Sequence, residues 1–289
     1  MKKKLIFTFL CIGVFLFTGC FKRDDLENVQ ITTTSYPIQY IVERLYGEYS
    51  TIESIYPREV DINNYELTDK QIRDFSDSSL YIFNGLSNEK DYVVPLFDYN
   101  KNIKIIDTSQ SMEYTNDVEE LWLDPSNFLM LTKNVKDGLQ EYITDRYLQN
   151  YIDEQYETLK VEASTLDANL KTIAESSSNN TIVVSSDLFR FLEKYGYTVI
   201  SLEENDQLTD KTVVDVENLI ENGEIDYIFL KEGEDMNQTI QTLVDETGVE
   251  TLTLKTLSNI SEEDSNNHED YITIMNQNMD LLKQEVYDE

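Results

Sequence analysis

Residues 148–173 read LQNYIDEQYETLKVEASTLDANLKTI, and their apolar side chains recur at steps of three and four. The stripe consists of Leu148, Ile152, Tyr156, Leu159, Ala163, Leu166, Leu170 and Ile173. This spacing is typical of one face of an α-helix, and neither Pro nor Gly interrupts the stretch from Gln140 to Ser178. A helix of about 30 residues is roughly 45 Å long, enough to cross a whole domain. The stripe alone also fits an isolated coiled coil, but the flanking segments favour packing against domains.

Short β-rich runs alternate with helical patterns on both sides of this helix. Before it, the predicted strands are Val29–Thr34, Thr51–Tyr56, Leu80–Phe83 and Ile103–Ile106, and the predicted helices are Ile38–Tyr46 and Lys70–Phe75. After it, the predicted strands are Thr181–Ser185, Thr198–Leu202, Tyr227–Leu230 and Val249–Leu254, and the predicted helices are Leu188–Tyr195, Thr212–Glu221, Gln238–Asp245 and Tyr271–Val286. Such alternation predicts parallel sheets. We therefore expect an α/β protein with two parallel-sheet lobes, residues 29–126 and 179–289, joined by a helical region, residues 127–178, that contains one long rigid backbone helix.

The N-terminus has the pattern of an export signal. Three lysines, Lys2 to Lys4, precede an apolar run from Leu5 to Phe17, which is too short to span a bilayer. The sequence Phe-Thr-Gly-Cys at residues 17–20 then resembles the lipobox of bacterial lipoproteins, in which the cysteine thiol is acylated. We expect residues 1–19 to be a signal peptide, residues 20–28 a tether, and Cys20 the lipid anchor that holds the protein outside the cytoplasm. The alternative is an ordinary signal peptide with an incidental cysteine.

Charge and residue usage exclude several classes of function. Removal of the signal lowers the number of Lys and Arg from 23 to 20 against 56 Asp and Glu, so the formal charge changes from −33 to −36. Nucleic-acid binding relies on Lys and Arg, and we expect none here. The two cysteines are Cys11 and Cys20, so the mature chain would have no free thiol. With His268 as the lone histidine and no nucleophile-elbow, P-loop or dinucleotide-binding motif, we expect a binding protein and no enzyme.

Five stretches, in order, resemble the solute receptors of zinc and manganese ABC importers. They are TTTSYPIQYIVERLYG (32–47), NNYELTDKQIRDFSDSSLYIFNGLS (63–87), LWLDP (121–125), VVSSDLFRFLEKYGY (183–197) and IDYIFLKEGEDMNQTIQTLVDETGVETLTLKTL (225–257). The resemblance covers nearly all of the mature chain. It implies two lobes around a rigid backbone helix, a solute held between them, and delivery to an ABC permease with its ATPase. It also implies a monomer that moves little on binding.

The resemblance implies a metal site made of three histidines and one carboxylate, which this chain cannot form with one histidine. Asn63, Glu120 and Ser186 stand at the positions of the three histidines, and the acidic position falls at Lys231 or Glu232. An acidic segment, residues 113–119, stands where many zinc receptors have a histidine-rich loop.

Two hypotheses fit these substitutions. In the first, Asn63, Glu120, Ser186 and Glu232 form an oxygen-only site that prefers manganese, calcium or magnesium over zinc. In the second, the site binds no metal and the cleft holds another solute or none. A Lys231 ammonium in the cleft would oppose a metal and favour an anion. We predict an extracytoplasmic solute-binding lipoprotein with a diverged site. The alternative is a surface lipoprotein that kept the fold but acts as an adhesin or protein-interaction factor.

Overall fold

The computed structural model describes residues 29–62, 64–177 and 179–287. The predicted signal, tether and Cys20 lie outside these ranges, as does Asn63. The α-helices within them are α1 (Tyr36–Tyr46), α2 (Asp69–Ser76), α3 (Val93–Tyr99), α4 (Glu120–Leu123), α5 (Pro125–Tyr142), α6 (Arg146–Ser176), α7 (Asp210–Glu221), α8 (Gln238–Thr247), α9 (Glu262–Asn266) and α10 (Tyr271–Val286). The strands are β1 (Val29–Thr33), β2 (Ser50–Ser54), β3 (Leu80–Phe83), β4 (Lys104–Asp107), β5 (Thr181–Val184), β6 (Thr198–Ser201), β7 (Tyr227–Lys231) and β8 (Glu250–Leu254).

The long backbone helix is confirmed as α6, which has 31 residues. It begins after Asp145, whose carboxylate accepts hydrogen bonds from the backbone N–H groups of Tyr147 and Leu148 at 2.8 and 3.1 Å. These bonds satisfy donors that the first turn of a helix leaves without intrahelical partners. The predicted apolar stripe is buried along the helix, apart from the half-buried Tyr156. The helix therefore packs between other elements and is not an isolated coiled coil.

Each lobe contains one four-stranded parallel sheet, as predicted. The N-terminal lobe has the order β2-β1-β3-β4, and the C-terminal lobe has the matching order β6-β5-β7-β8. In both sheets the second strand of the lobe lies on one side of the first, and the third and fourth strands lie on the other side. Ligands of open parallel sheets bind beyond the carboxyl ends of the strands, near the point where the order reverses. The fold thus directs a ligand toward the loops that follow β1 to β4 and β5 to β8.

Several helical segments differ from the sequence prediction. The segment predicted as a helix over Leu188–Tyr195 is a 3₁₀-helix, Asp187–Tyr195, which ends at Gly196 with φ of +104°. The short helices α4 and α9 were not predicted, and neither was helix α3. It contains Pro95 as its third residue, which the first turn tolerates because the N–H groups there have no intrahelical acceptor.

One hydrophobic core joins the two lobes through α6 and α10. The indole N–H of Trp122 in α4 donates to the Thr256 carbonyl beyond β8 at 2.8 Å. The Tyr271 hydroxyl in α10 donates to the Trp122 carbonyl at 2.6 Å, and the Tyr271 ring stacks on Phe128 with centroids 3.8 Å apart. Trp122, Phe128 and Tyr271 are all buried. These contacts fix the lobes in one arrangement around the backbone helix.

Within residues 29–62, 64–177 and 179–287, no helix is both long and apolar enough to cross a bilayer.

Candidate functional site

A cleft of about 440 Å³ lies between the lobes. Its walls come from the loop after β2 in the N-terminal lobe, from Glu119 just before α4, and from the segments that follow β7 and β8. The lining residues are Glu59, Val60, Asp61, Ile62, Glu119, Lys231, Glu232, Gly233, Glu234, Thr256, Ser258, Asn259, Ile260 and Ser261. The cleft therefore has the position expected for a ligand site in a pair of open parallel sheets.

Lys231, the last residue of β7, places its ammonium group among three carboxylates. Its Nζ lies 3.0 Å from Glu119 Oε2, 3.2 Å from Asp117 Oδ2 and 3.2 Å from Glu234 Oε1. The Lys231 side chain is only 11% exposed. Burial lowers the pKa of Lys231, but the attraction of Glu119 and Asp117 outweighs it and holds that pKa well above the usual range. The ammonium is therefore charged and already neutralised by its neighbours.

Glu119 is the buried carboxylate of this group. Its side chain is 7% exposed, and its Oε1 accepts a short hydrogen bond from the Ser258 hydroxyl. Burial raises the pKa of Glu119, although the nearby Lys231 opposes the shift. Asp117 and Glu119 precede α4, whereas Lys231 and Ser258 belong to the C-terminal lobe. The ion pairs and the hydrogen bond therefore bridge the two sides of the cleft.

Glu232 and Lys231 both line the cleft, and the match of Glu232 to the acidic ligand of the family stays a prediction. Glu232 Oε2 accepts a hydrogen bond from the backbone N–H of Thr256 at 3.0 Å. Burial raises the pKa of Glu232, and this hydrogen bond partly offsets the rise. Of the three predicted metal ligands that the structure describes, Glu120, Ser186 and Glu232, only Glu232 lies in the cleft wall.

Glu120 and Ser186 have other partners. The Glu120 carboxylate accepts hydrogen bonds from the backbone N–H groups of Thr115 and Asn116 at 3.0 and 2.8 Å, so it closes the acidic segment back onto α4. The Ser186 hydroxyl donates to Glu203 at 3.0 Å and accepts from the N–H of Leu188, which caps the 3₁₀-helix. Neither residue lines the cleft. Their role as metal ligands stays a prediction, and it requires them to exchange these partners for a cation.

Asn63 lies outside the described residues, but its neighbours Asp61 and Ile62 line the cleft. His268 lines a different cavity of about 330 Å³, beside Tyr36 and Tyr56. It is exposed and has a left-handed backbone with φ of +59°. The sole imidazole of the chain is therefore not part of the cleft wall.

The structure brings together acidic residues that the motif comparison did not select. Asp117, Glu119 and Glu234 surround Lys231, whereas the motif pointed to Glu120. The signal in the sequence was the acidic segment 113–119 in place of a histidine-rich loop. Across residues 29–62, 64–177 and 179–287, no three or more His, Cys, Asp and Glu side chains are grouped so that they could hold a metal ion.

A family model named zinc-uptake complex component A, ZnuA, matches residues 31–285. The chain belongs to this family. The predicted resemblance to zinc and manganese solute-binding lipoproteins is thereby confirmed. The family consists of transport proteins that bind their substrate.

Three known proteins illustrate the relationship of this ZnuA-family chain to others. The zinc-binding lipoprotein AdcA of Streptococcus pneumoniae is 22% identical, and the alignment covers 98% of this chain but only 61% of that protein. The manganese-binding lipoprotein MntA of Halalkalibacterium halodurans is 24% identical over 70% of this chain and 71% of its own length. The crystal structure of the metal-dependent lipoprotein YcdH of Bacillus subtilis superimposes with a TM-score of 0.73 at 19% identity, covering 90% of this chain and 99% of that one. At this identity the structure establishes the fold alone.

Proposed function

We propose that this ZnuA-family chain is the lipid-anchored, extracytoplasmic solute-binding component of an ABC importer. We further propose that its cleft binds a divalent cation only weakly, through carboxylate oxygens that are not grouped into a ready metal site in the described residues, and that it binds zinc more weakly than manganese or calcium. The observation that carries the proposal is the cleft itself, which both lobes line and whose wall contains carboxylates but no imidazole. The names of the zinc-binding and manganese-binding relatives support a metal solute.

The donors in the cleft favour a hard cation. The carboxylates that line it are Glu59, Asp61, Glu119, Glu232 and Glu234. Carboxylate oxygens suit manganese and calcium, while high zinc affinity comes largely from imidazole and thiolate ligands. Because Lys231 is already paired with three carboxylates, it does not offer a free cation to an anionic solute. A cation is therefore the better match to the charge of the cleft.

The backbone helix limits how far the lobes can move when the receptor presents its solute to the permease. Bending α6 would break intrahelical hydrogen bonds or the packing of its buried stripe. We expect only small movements between the lobes when solute binds. Recognition by the permease and its ATPase would then depend on local changes around the cleft, in a monomeric receptor held by Cys20.

A deletion of the gene in its own bacterium tests this function. We expect the deletion to lower cellular manganese in manganese-limited medium, and to leave cellular zinc unchanged, when both are measured by mass spectrometry. A wild-type copy should restore manganese. Unchanged metal content, combined with loss of attachment to a surface or to a protein partner, would instead support the alternative of an adhesin or interaction factor.

A further inference from the structure

The ammonium of Lys231 occupies a position between the lobes in which a bound cation would meet the same carboxylates. Two of its partners, Asp117 and Glu119, precede α4, and the third, Glu234, follows β7. We propose that Lys231 is a built-in cation that competes with the solute for these carboxylates and so determines the affinity and selectivity of the cleft. This inference rests on the proposed function, since it assumes that the solute is a cation.

The partners of Lys231 depend on its charge. Glu119 Oε2 is buried, and among the residues that the structure describes its only polar partner is the Lys231 ammonium 3.0 Å away. Removing one member of a buried ion pair leaves an uncompensated charge, which is strongly destabilising. In a variant that lacks the ammonium, Glu119 must therefore take up either a proton or another cation.

Lys231 differs from the surface lysines in how deeply its side chain is buried. Lys211 and Lys101, for example, form ion pairs within one helix turn or a short loop, and their side chains are 86% and 60% exposed. Such exposed pairs contribute little to stability. Lys231 is 11% exposed, and two of its three partners, Asp117 and Glu119, lie more than 100 positions away in the sequence. The contrast indicates a specific role for this one ammonium group.

A divalent cation can bind these carboxylates in only two ways. It either displaces the Lys231 ammonium or binds beside it and is repelled by its charge. Like charges within a few ångströms in a partly buried site repel strongly. Wild-type protein should therefore bind manganese or calcium weakly, and a neutral side chain of similar length at position 231 should permit tighter binding. Methionine is unbranched and nearly as long as lysine but carries no charge.

The test compares K231M with K211M, which removes the same charge from an exposed ion pair. Each protein is titrated with Mn²⁺ and with Ca²⁺ by calorimetry, and its thermal unfolding is followed with EDTA and with each cation. We expect K231M in EDTA to melt about 5 °C or more below wild type. We also expect added Mn²⁺ to raise its Tm and its affinity for Mn²⁺ to exceed that of wild type at least tenfold. K211M should match wild type in every measurement.

A second variant, K231M/E119Q, tests whether the buried carboxylate is the cause. Removing the charge of Glu119 should restore much of the Tm in EDTA and abolish the gain in Mn²⁺ affinity. It also provides a stable protein if K231M alone does not fold. The inference is overturned if K231M binds neither cation more tightly than K211M does, or if E119Q leaves the gain intact. The proposed function is judged separately by cellular manganese, so the two can fail independently.

Discussion

Removal of the Tyr271 hydroxyl tests whether the two lobes share one core. The hydroxyl donates at 2.6 Å to the carbonyl of Trp122, and Tyr271 itself is completely buried. Tyr271→Phe keeps the ring and its stacking on Phe128 but removes a donor from a buried carbonyl. Leaving a buried polar group without its partner costs about 1–3 kcal/mol. For a protein of this size, each kcal/mol of lost stability lowers Tm by roughly 2–4 °C.

Urea unfolding measured by circular dichroism gives the loss directly, provided that the unfolding transition is two-state. Tyr147→Phe is the matched control, because Tyr147 is 66% exposed and its hydroxyl accepts a bond from Tyr49 at 3.2 Å. We expect the control to change stability by no more than about 0.5 kcal/mol. Tyr271→Ala, which also removes the stacked ring, should cost about 3–5 kcal/mol. A loss below about 0.5 kcal/mol for Tyr271→Phe, or an equal loss for the control, would refute the shared core.

Three further outcomes follow from single residues. Burial raises the pKa of Glu89 to about 7 from an ordinary 4.5, so the folded state holds a proton that the unfolded state has lost. The free energy of unfolding should therefore fall as pH rises from about 4.5 to 7, by on the order of 3 kcal/mol from this group. In urea melts, Glu89→Gln should reduce this dependence of stability on pH. Part of the dependence should remain, because burial also raises the pKa of Glu285 to about 7. Gly138→Ala should destabilise the protein despite the higher helix propensity of alanine, because its Cβ would lie 2.6 Å from Ile106 Cγ2. Overpacking of this kind costs about 1–3 kcal/mol, and an increase in Tm would contradict the prediction. Cys20→Ala should abolish lipid labelling and release the protein from the membrane, and retention of a processed variant would show that Cys20 is not the anchor.

Much of the fold could be predicted because it depends on local patterns. The stripe in α6 repeats over many turns, and the predicted strands are short apolar runs that pair in parallel within each lobe. Helix α3 has only 7 residues and a proline within it, so its pattern is too short to establish a period. The 3₁₀ form of residues 187–195 was also not visible in the pattern, since apolar spacing alone does not distinguish it from an α-helix.

The candidate site was harder to predict because its contacts join distant segments. The motif identified Glu120, yet its neighbour Glu119 faces the cleft while Glu120 bonds to the backbone of residues 115 and 116. Consecutive residues of a helix point about 100° apart, so a shift of one position changes which carboxylate reaches a ligand. The pairing of Lys231 with Asp117 and Glu119 depends on the packing of the two lobes. The sequence predicts a Lys231 ammonium in the cleft as one alternative, but it does not identify the carboxylates that pair with it.

The central claim is that this cleft has exchanged an imidazole site for carboxylates and an internal ammonium group. A competition titration with a fluorescent zinc chelator on the soluble protein, residues 24–289, tests it most directly. We predict no 1:1 zinc complex with a Kd tighter than about 1 μM. Stoichiometric zinc binding in the nanomolar range would contradict the claim, and its loss in His268→Ala would show that the loop histidine had replaced the missing ligands.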